Sequence, residues 1–450
     1  MKTLWSQTGV PDPGIERFLK GDDPWADARL LPHDIRGSAA HAHTLRMAGL
    51  LEPEDARRVL AALKAELHAL PELLPADVED GQTYLEERLI ARLGPRASGI
   101  HLGRSRNDQV ALALRLFVRD EMLALGLELG VLMRALRAFA CEYETVAWPG
   151  YTHMRRAMPS TLGQWSLAFL VPLADDLALL PALHQLVNRS PLGAGPGFGV
   201  PLPIDRAASA ARLGFSGPDP STLDAVGGRV RHESRLAQWL SGLVCTLERY
   251  YWDLALFTTE EFGYFRLAAP LTTGSSAMPQ KRNPDVIEVG RARCREIAER
   301  SHLLTMLGRG LPSGYHRDYQ LSKPELLTLV DRGHELLQVS ARVPAGVMPD
   351  RDRMARALTP EVFATEAAYG RAVEGRIPFR EAYREIQKQL AEGSDPLPFP
   401  ASGFAPEILQ REIRETLQTI ESGIEDQMRW ITSRQTQIAN CYDQLWESTP

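Results

Sequence analysis

The chain has 450 residues, 44% hydrophobic and 24% charged, with a formal net charge of −6. This is ordinary globular composition with ample apolar material for a core, and the length suits two or three domains or one elongated architecture. A mildly acidic chain has no electrostatic footprint for nucleic acid or an anionic membrane, so polyanionic partners are not expected.

The chain opens Met-Lys-Thr-Leu-Trp-Ser-Gln, with Pro and Asp close behind, so no secretory signal is expected and the cytoplasm is the expected home. No uninterrupted apolar run is read as long enough to span a bilayer. The first hundred residues read as short helices broken by proline. Residues 99–109, Gly-Ile-His-Leu-Gly-Arg-Ser-Arg-Asn-Asp-Gln, then crowd polar groups before a long helix. Ser105, Arg106 and Asn107, with the N–H groups of the helix start, suit a carboxylate cradle. On spacing alone a plain N-cap at Asn107 or Asp108 is the favoured reading.

From 107 to about 143, Val110, Leu114, Phe117, Met122, Leu125, Leu129, Leu132 and Leu136 recur at helical spacing with no internal proline. A helix of that extent is about 50 Å long. Residues 149–159, Pro-Gly-Tyr-Thr-His-Met-Arg-Arg-Ala-Met-Pro, follow as a loop with Thr152 and His153 side by side. His153 is one of eleven histidines, and taken alone such a histidine is more often structural than catalytic. Further helices are expected at about 160–187, 230–258, 284–307 and 324–343, with Pro284 and Pro324 in first turns. The glycine-rich run 192–199 neither follows an apolar strand nor opens a helix, so it is not a dinucleotide loop. Residues 274–284, Gly-Ser-Ser-Ala-Met-Pro-Gln-Lys-Arg-Asn-Pro, have the glycine, serines and flanking prolines of a mobile flap or of a solvated surface loop. There Lys281 and Asn283 are placed to meet an anion. A break at 344–350 introduces a C-terminal helical region, itself interrupted by a turn-rich stretch at 393–406.

These elements predict a mostly α protein with a long central helical bundle. The expected divisions are 1–103, 104–345 and 346–450. Cys141, Cys245, Cys294 and Cys441 have no metal-ligand spacing and read as thiols of a reducing compartment.

Residues 274–283 match the flap pattern Gly-Ser-Ser-x-Met-x-x-Lys-x-Asn of the fumarase/aspartase superfamily at every fixed position. Within it, Gly103-Arg-Ser-Arg-Asn-Asp-Gln, Pro149-Gly-Tyr-Thr-His and Tyr315-His-Arg-Asp-Tyr-Gln-Leu-Ser-Lys resemble the argininosuccinate lyase family. The resemblance runs from about residue 15 to about residue 390. It implies a three-domain fumarase/aspartase-like subunit, a homotetramer whose active sites draw loops from three chains, and no cofactor or metal. It implies elimination of fumarate from argininosuccinate to give arginine, with Ser275 as base and Lys281 and Asn283 holding the carboxylate whose charge grows. Ser105, Arg106, Asn107, Thr152 and Ser276 would bind the succinyl half. His153, oriented by Glu288, would assist protonation of the departing nitrogen, and Tyr315, Gln320 and Lys323 would contact the amino-acid end.

The chain also departs from the family pattern. Leu102 stands for Thr, Arg155 and Met158 for Gln, Asp23 for Ser, Gln82 for His, and Leu321-Ser322 for an acidic pair. These changes fall near the expected leaving-group end. They keep open a paralogue acting on another N-substituted aspartate, such as an alkyl- or aminoalkyl-aspartate, and a silent crystallin-like relative.

Overall fold

In the computed structural model, which describes residues 12–393 and 407–447, the apolar stripes are helices and the polar segments connect them. The readings made for the first residues of the chain and for the 393–406 stretch fall on residues 1–11 and 394–406, outside the described residues.

Four helices come first: α1 (Pro13–Lys20), α2 (Asp23–Met47), α3 (Pro53–Leu67) and α4 (Gly81–Leu93). Proline opens the first three, where its missing N–H costs nothing. Asp80 caps α4, its carboxylate accepting from the Thr83 N–H at 2.8 Å. Helices α2, α3 and α4 enclose their own core, built on Leu31, Ile35, Leu63 and Leu85.

The middle of the chain runs α5 (Arg106–Glu142), the hairpin β1 (Ala147–Thr152) and β2 (Arg155–Thr161), α6 (Leu162–Ala178) and α7 (Leu180–Val187). Short α8 (Arg206–Arg212) and α9 (Thr222–Gly227) precede α10 (Arg229–Phe257). Then come β3 (Phe265–Leu267), β4 (Thr273–Gly274), β5 (Arg282–Asn283), α11 (Asp285–Leu307) and α12 (Ser322–Ser340). The chain closes with β6 (Val347–Pro349), α13 (Arg351–Ala357), α14 (Ala364–Gly375), α15 (Phe379–Ala391) and α16 (Glu407–Gln444). Strands pair antiparallel as β1–β2, β3–β6 and β4–β5.

The α5 stripe is buried as its spacing requires: Leu114, Phe117, Met122, Leu125, Leu129, Leu132 and Leu136 all lie in the core. Helices α6, α10, α12 and α16 pack on it, α11 packs on α10 and α12, and α16 adds Ile413, Leu417, Ile424 and Ile431 to the same cluster. Three details differ from the sequence reading. Ser160 lies in β2, because Thr161 is the residue that caps α6. Leu179, just before Pro181, separates α6 from α7. Pro284 precedes α11 instead of lying in its first turn. The membrane reading also needs correction, since Leu162–Val187 is long and apolar enough to cross a bilayer. Here it packs against α5, α10 and α16.

The bundle has two distinct ends. Helix α5 starts among the N-terminal helices, with Leu112 and Leu116 in their core, and ends at the β1–β2 hairpin. Its 37 residues span about 55 Å. Helix α10 runs the same way, its Phe257 ring reaching Trp148 and Tyr151 of the hairpin. Helix α11 returns: Gly290 near its start meets Tyr251, and Gly308 after its end meets Val230. At Gly290 an added Cβ would lie 2.4 Å from the buried Tyr251 ring, so only glycine admits this approach. Gly290→Ala is expected to cost about 1–3 kcal/mol of stability through overpacking. Chemical denaturation of the variant checks this, and an unchanged midpoint would show that α11 is not pinned there.

Candidate active site

The starts of α5 and α12 build one cleft. Ser105 is the N-cap of α5, accepting from the Asn107 N–H at 3.3 Å, while Asp108 accepts from the Ser105 N–H at 2.9 Å. This reciprocal capping box corrects the assignment of the cap to Asn107 or Asp108 and leaves the Asn107 side chain lining the cleft. Asp108 is fully buried, and its other oxygen accepts from the N–H groups of Gly193 (3.1 Å) and Gly195 (2.8 Å). Burial pushes its carboxyl up to about 6 even though three N–H groups favour the anion. The glycine run is therefore a strap clasped to the start of α5. Gly193 and Gly195 have φ of 81° and 59°, conformations a side chain would strain.

Arg106 donates to Asp80 and to the Thr83 hydroxyl (2.9 Å), tying α5 to α4. Beside it opens a cleft of about 190 Å³ where Arg106 and Asn107 meet Tyr315, Gln320 and Lys323. Lys323 is buried, with its ammonium 2.8 Å from Asp23 and 2.6 Å from Asp27. Burial alone would lower the lysine pKa, but the paired carboxylates outweigh it and hold it above its usual value. Burial, and then neighbouring Asp27, push Asp23 up to about 6 against the pull of Lys323. Gln320 donates to the Leu19 carbonyl at 2.6 Å. The Arg229 guanidinium lies 5.9 Å from the Tyr315 ring centroid and donates to the Tyr319 carbonyl at 3.1 Å.

Thr152 and His153 belong to the opposite end of the bundle. Thr152 pairs with Arg155, so His153 and Met154 form the two-residue tip of the hairpin rather than a plain loop. Their φ values are 53° and 59°, the positive values that such a turn demands and that Asn and Gly usually supply. Residues held in this region cost of order 1–3 kcal/mol each and cluster at functional sites. His153 is exposed.

The flap is a second hairpin, β4–β5, in which Thr273 pairs with Asn283. Ser275 at its bend accepts from the N–H groups of Ala277 (3.3 Å) and Met278 (3.2 Å). Ser276 and Lys281 are exposed on the same flap, and Glu288 is exposed in the first turn of α11. Among the described residues, no hydrogen bond or ion pair joins His153, Glu288 or the flap to the cleft. One chain thus carries Ser105, Arg106, Asn107, Tyr315, Gln320 and Lys323 at one end of α5, and the other nominated residues toward the far end.

A family model described as "Lyase" matches residues 22–298. Argininosuccinate lyase of Sorangium cellulosum is 40% identical over 395 residues, 86% of this chain and 90% of that protein. Argininosuccinate lyase of Thermotoga neapolitana is 35% identical, covering 87% of this chain and 99% of its own length. The chain belongs to the argininosuccinate lyase family. The fold agrees: a structure of EDDS lyase in complex with formate superposes with a TM-score of 0.82 at 22% identity, over 98% of this chain and 96% of that one.

Sequence reasoning did not nominate four of this family member's cleft or ion-pair residues: Asp27, Asp80, Glu79 and Arg229. The local signal for Asp27 is its spacing, since it follows Asp23 by four residues on α2 and so shares its face. Arg229 had only the preceding Gly227-Gly228 pair as a signal.

Proposed function

We propose that this protein is a carbon–nitrogen lyase that eliminates fumarate from argininosuccinate and leaves arginine. The observation that carries the reading is convergence: Arg106 and Asn107 line one cleft with Tyr315, Gln320 and Lys323, from more than 200 positions further along. The family's relatives, similar over nearly their whole length, support it.

The chemistry follows from the carbon acid. A proton beside a carboxylate leaves only if the aci-carboxylate formed is stabilised, so electrostatics dominates the barrier. Ser275 takes the proton. The N–H groups of Ala277 and Met278 favour its alkoxide, and Lys281 adds positive charge when the flap closes. Lys281 and Asn283 hold the carboxylate that gains charge. Ser105, Arg106, Asn107, Thr152 and Ser276 bind the succinyl half. The C–N bond then breaks, its electron pair goes to nitrogen, and His153 oriented by Glu288 delivers a proton there. Tyr315, Gln320 and Lys323 contact the departing amine.

The reading includes assembly into a homotetramer in the cytoplasm, each site drawing the cleft of one subunit and the hairpin and flap of others. Its support is the separation of the two groups along α5 and the exposed apolar side chains Val131, Val289, Leu303 and Val339 on the bundle helices. A second reading has one specific motive. Asp23 and Gln82, both departures from the family pattern, line the cleft itself.

The test is fumarate release, followed by ultraviolet absorbance, from argininosuccinate and from a panel of alkyl- and aminoalkyl-aspartates. Argininosuccinate is expected to be the best substrate and to yield arginine. Turnover of another N-substituted aspartate alone would favour the paralogue, and turnover of none would favour the silent relative.

A further inference from the structure

Arg229 lines two spaces. One is the cleft, where its guanidinium lies 5.9 Å from the ring centroids of Tyr315 and Tyr319 and donates to the Tyr319 carbonyl. The other is a separate cavity of about 10 Å³, lined by apolar side chains of α5 and by Arg115, Arg229, His232 and Glu233. Every residue lining this cavity is buried. Four polar atoms on them meet no hydrogen-bonding group of another described residue: Arg229 Nε, His232 Nδ1 and both carboxylate oxygens of Glu233.

The neighbouring charges are otherwise engaged. Arg115 donates to the Arg189 carbonyl at 2.9 Å and lies 3.6 Å from Asp219. Asp23 is within electrostatic reach of Arg229, but its ion pair is with Lys323 at 2.8 Å. The Arg231 guanidinium can only donate, so at 3.4 Å it makes His232 Nε2 the acceptor and puts the ring hydrogen on Nδ1. Burial and the surrounding arginines hold that imidazole far below its usual pKa, so it is neutral. The cavity therefore presents two N–H donors and two carboxylate oxygens to a space that holds about one water, which can accept two bonds and donate two.

Arg229 and Glu233 are i and i+4 on α10 and share a face. Burial pushes the Glu233 carboxyl up to about 7, and Arg229 and then Arg115 pull it back down. We infer that Glu233 is a positioning residue for the cleft: through one enclosed water it holds the Arg229 guanidinium against the Tyr319 carbonyl and beside the Tyr315 ring. Glu233 lies outside the cleft lining and acts only through Arg229. The inference deepens the proposed elimination and rests on it for the role of Tyr315 at the departing amine.

The first arm of the test is a high-resolution crystal structure of the intact protein without substrate. It should show one enclosed water within hydrogen-bond distance of Arg229 Nε and a Glu233 oxygen. This arm needs no turnover, so it stands whether or not the proposed elimination does. The second arm compares two variants on the best substrate of the fumarate panel. Glu233→Gln keeps the volume and removes the charge, and it is expected to raise KM about tenfold with kcat within about threefold of native. Glu233→Asp keeps the charge and leaves room for a second water, and its KM is expected to stay within about threefold of native. A packing role would rank the two the other way, because the shorter side chain leaves the larger void. A dry cavity in the crystal structure, or a KM raised more by Glu233→Asp than by Glu233→Gln, would overturn the inference. Should Glu233→Gln fail to fold, the crystal structure of the native protein decides alone.

Discussion

Ser275→Ala is expected to lower kcat for fumarate release by about 10²–10⁴-fold, the usual contribution of a positioned acid or base. The loss should fall on kcat rather than on substrate affinity, because Ser275 is assigned a proton and not a binding contact. Stability should hardly change. The partners of its hydroxyl are two N–H groups of the exposed segment Ala277–Met278, which water can satisfy once the oxygen is gone. The measurement is steady-state kinetics beside thermal unfolding and the mass of the assembly in solution. Turnover within a few-fold of the native protein, with fold and assembly intact, would remove Ser275 from the role of base. Loss of turnover with loss of fold would leave the kinetics to a milder variant, Ser275→Thr, which keeps a hydroxyl at the bend.

Two nearly inactive variants are expected to restore each other. Ser275→Ala damages the flap end of the bundle, and Asn107→Asp places a negative charge in the cleft at the other end, about 55 Å of α5 away. If a site takes its cleft and its flap from different subunits, random mixing gives intact versions of both in about a quarter of the sites. Co-expression, or unfolding and refolding together, should therefore recover about a quarter of native turnover from parents that have almost none. The controls are each parent treated alone and a demonstration that mixed assemblies form. Mixed assemblies no more active than the parents would sink the shared site. Substantial activity in an isolated monomer would do the same.

Much of this architecture was legible because its signals are local. The α5 stripe from Leu114 to Leu136 repeats at the helical period, and burial of those side chains follows from that spacing alone. The residues 274–283 form a short contiguous pattern, and the flap they make closes on itself through the pairing of Thr273 with Asn283. By sequence the hairpin resembles a loop, because its strands have little β-branched character and two prolines, Pro149 and Pro159, that suggest irregular chain. Its pairing is instead enforced by Trp148, buried against Trp165, Phe257 and Phe265 from three other elements. The clasp of the glycine run on Asp108 leaves no trace at the level of spacing.

Helix, flap and family pattern are properties of neighbouring residues, where period, turn chemistry and charge act over a few positions and can be read in a row. The cleft is of another kind. Lys323 finds Asp27 across 296 positions, and Gln82 donates to Asp34 while its own amide oxygen is buried without a hydrogen-bond partner. Which charges are already neutralised, and which polar atoms wait for a partner, depends on how distant helices pack and what they exclude from water. No stretch of contiguous chain carries that information.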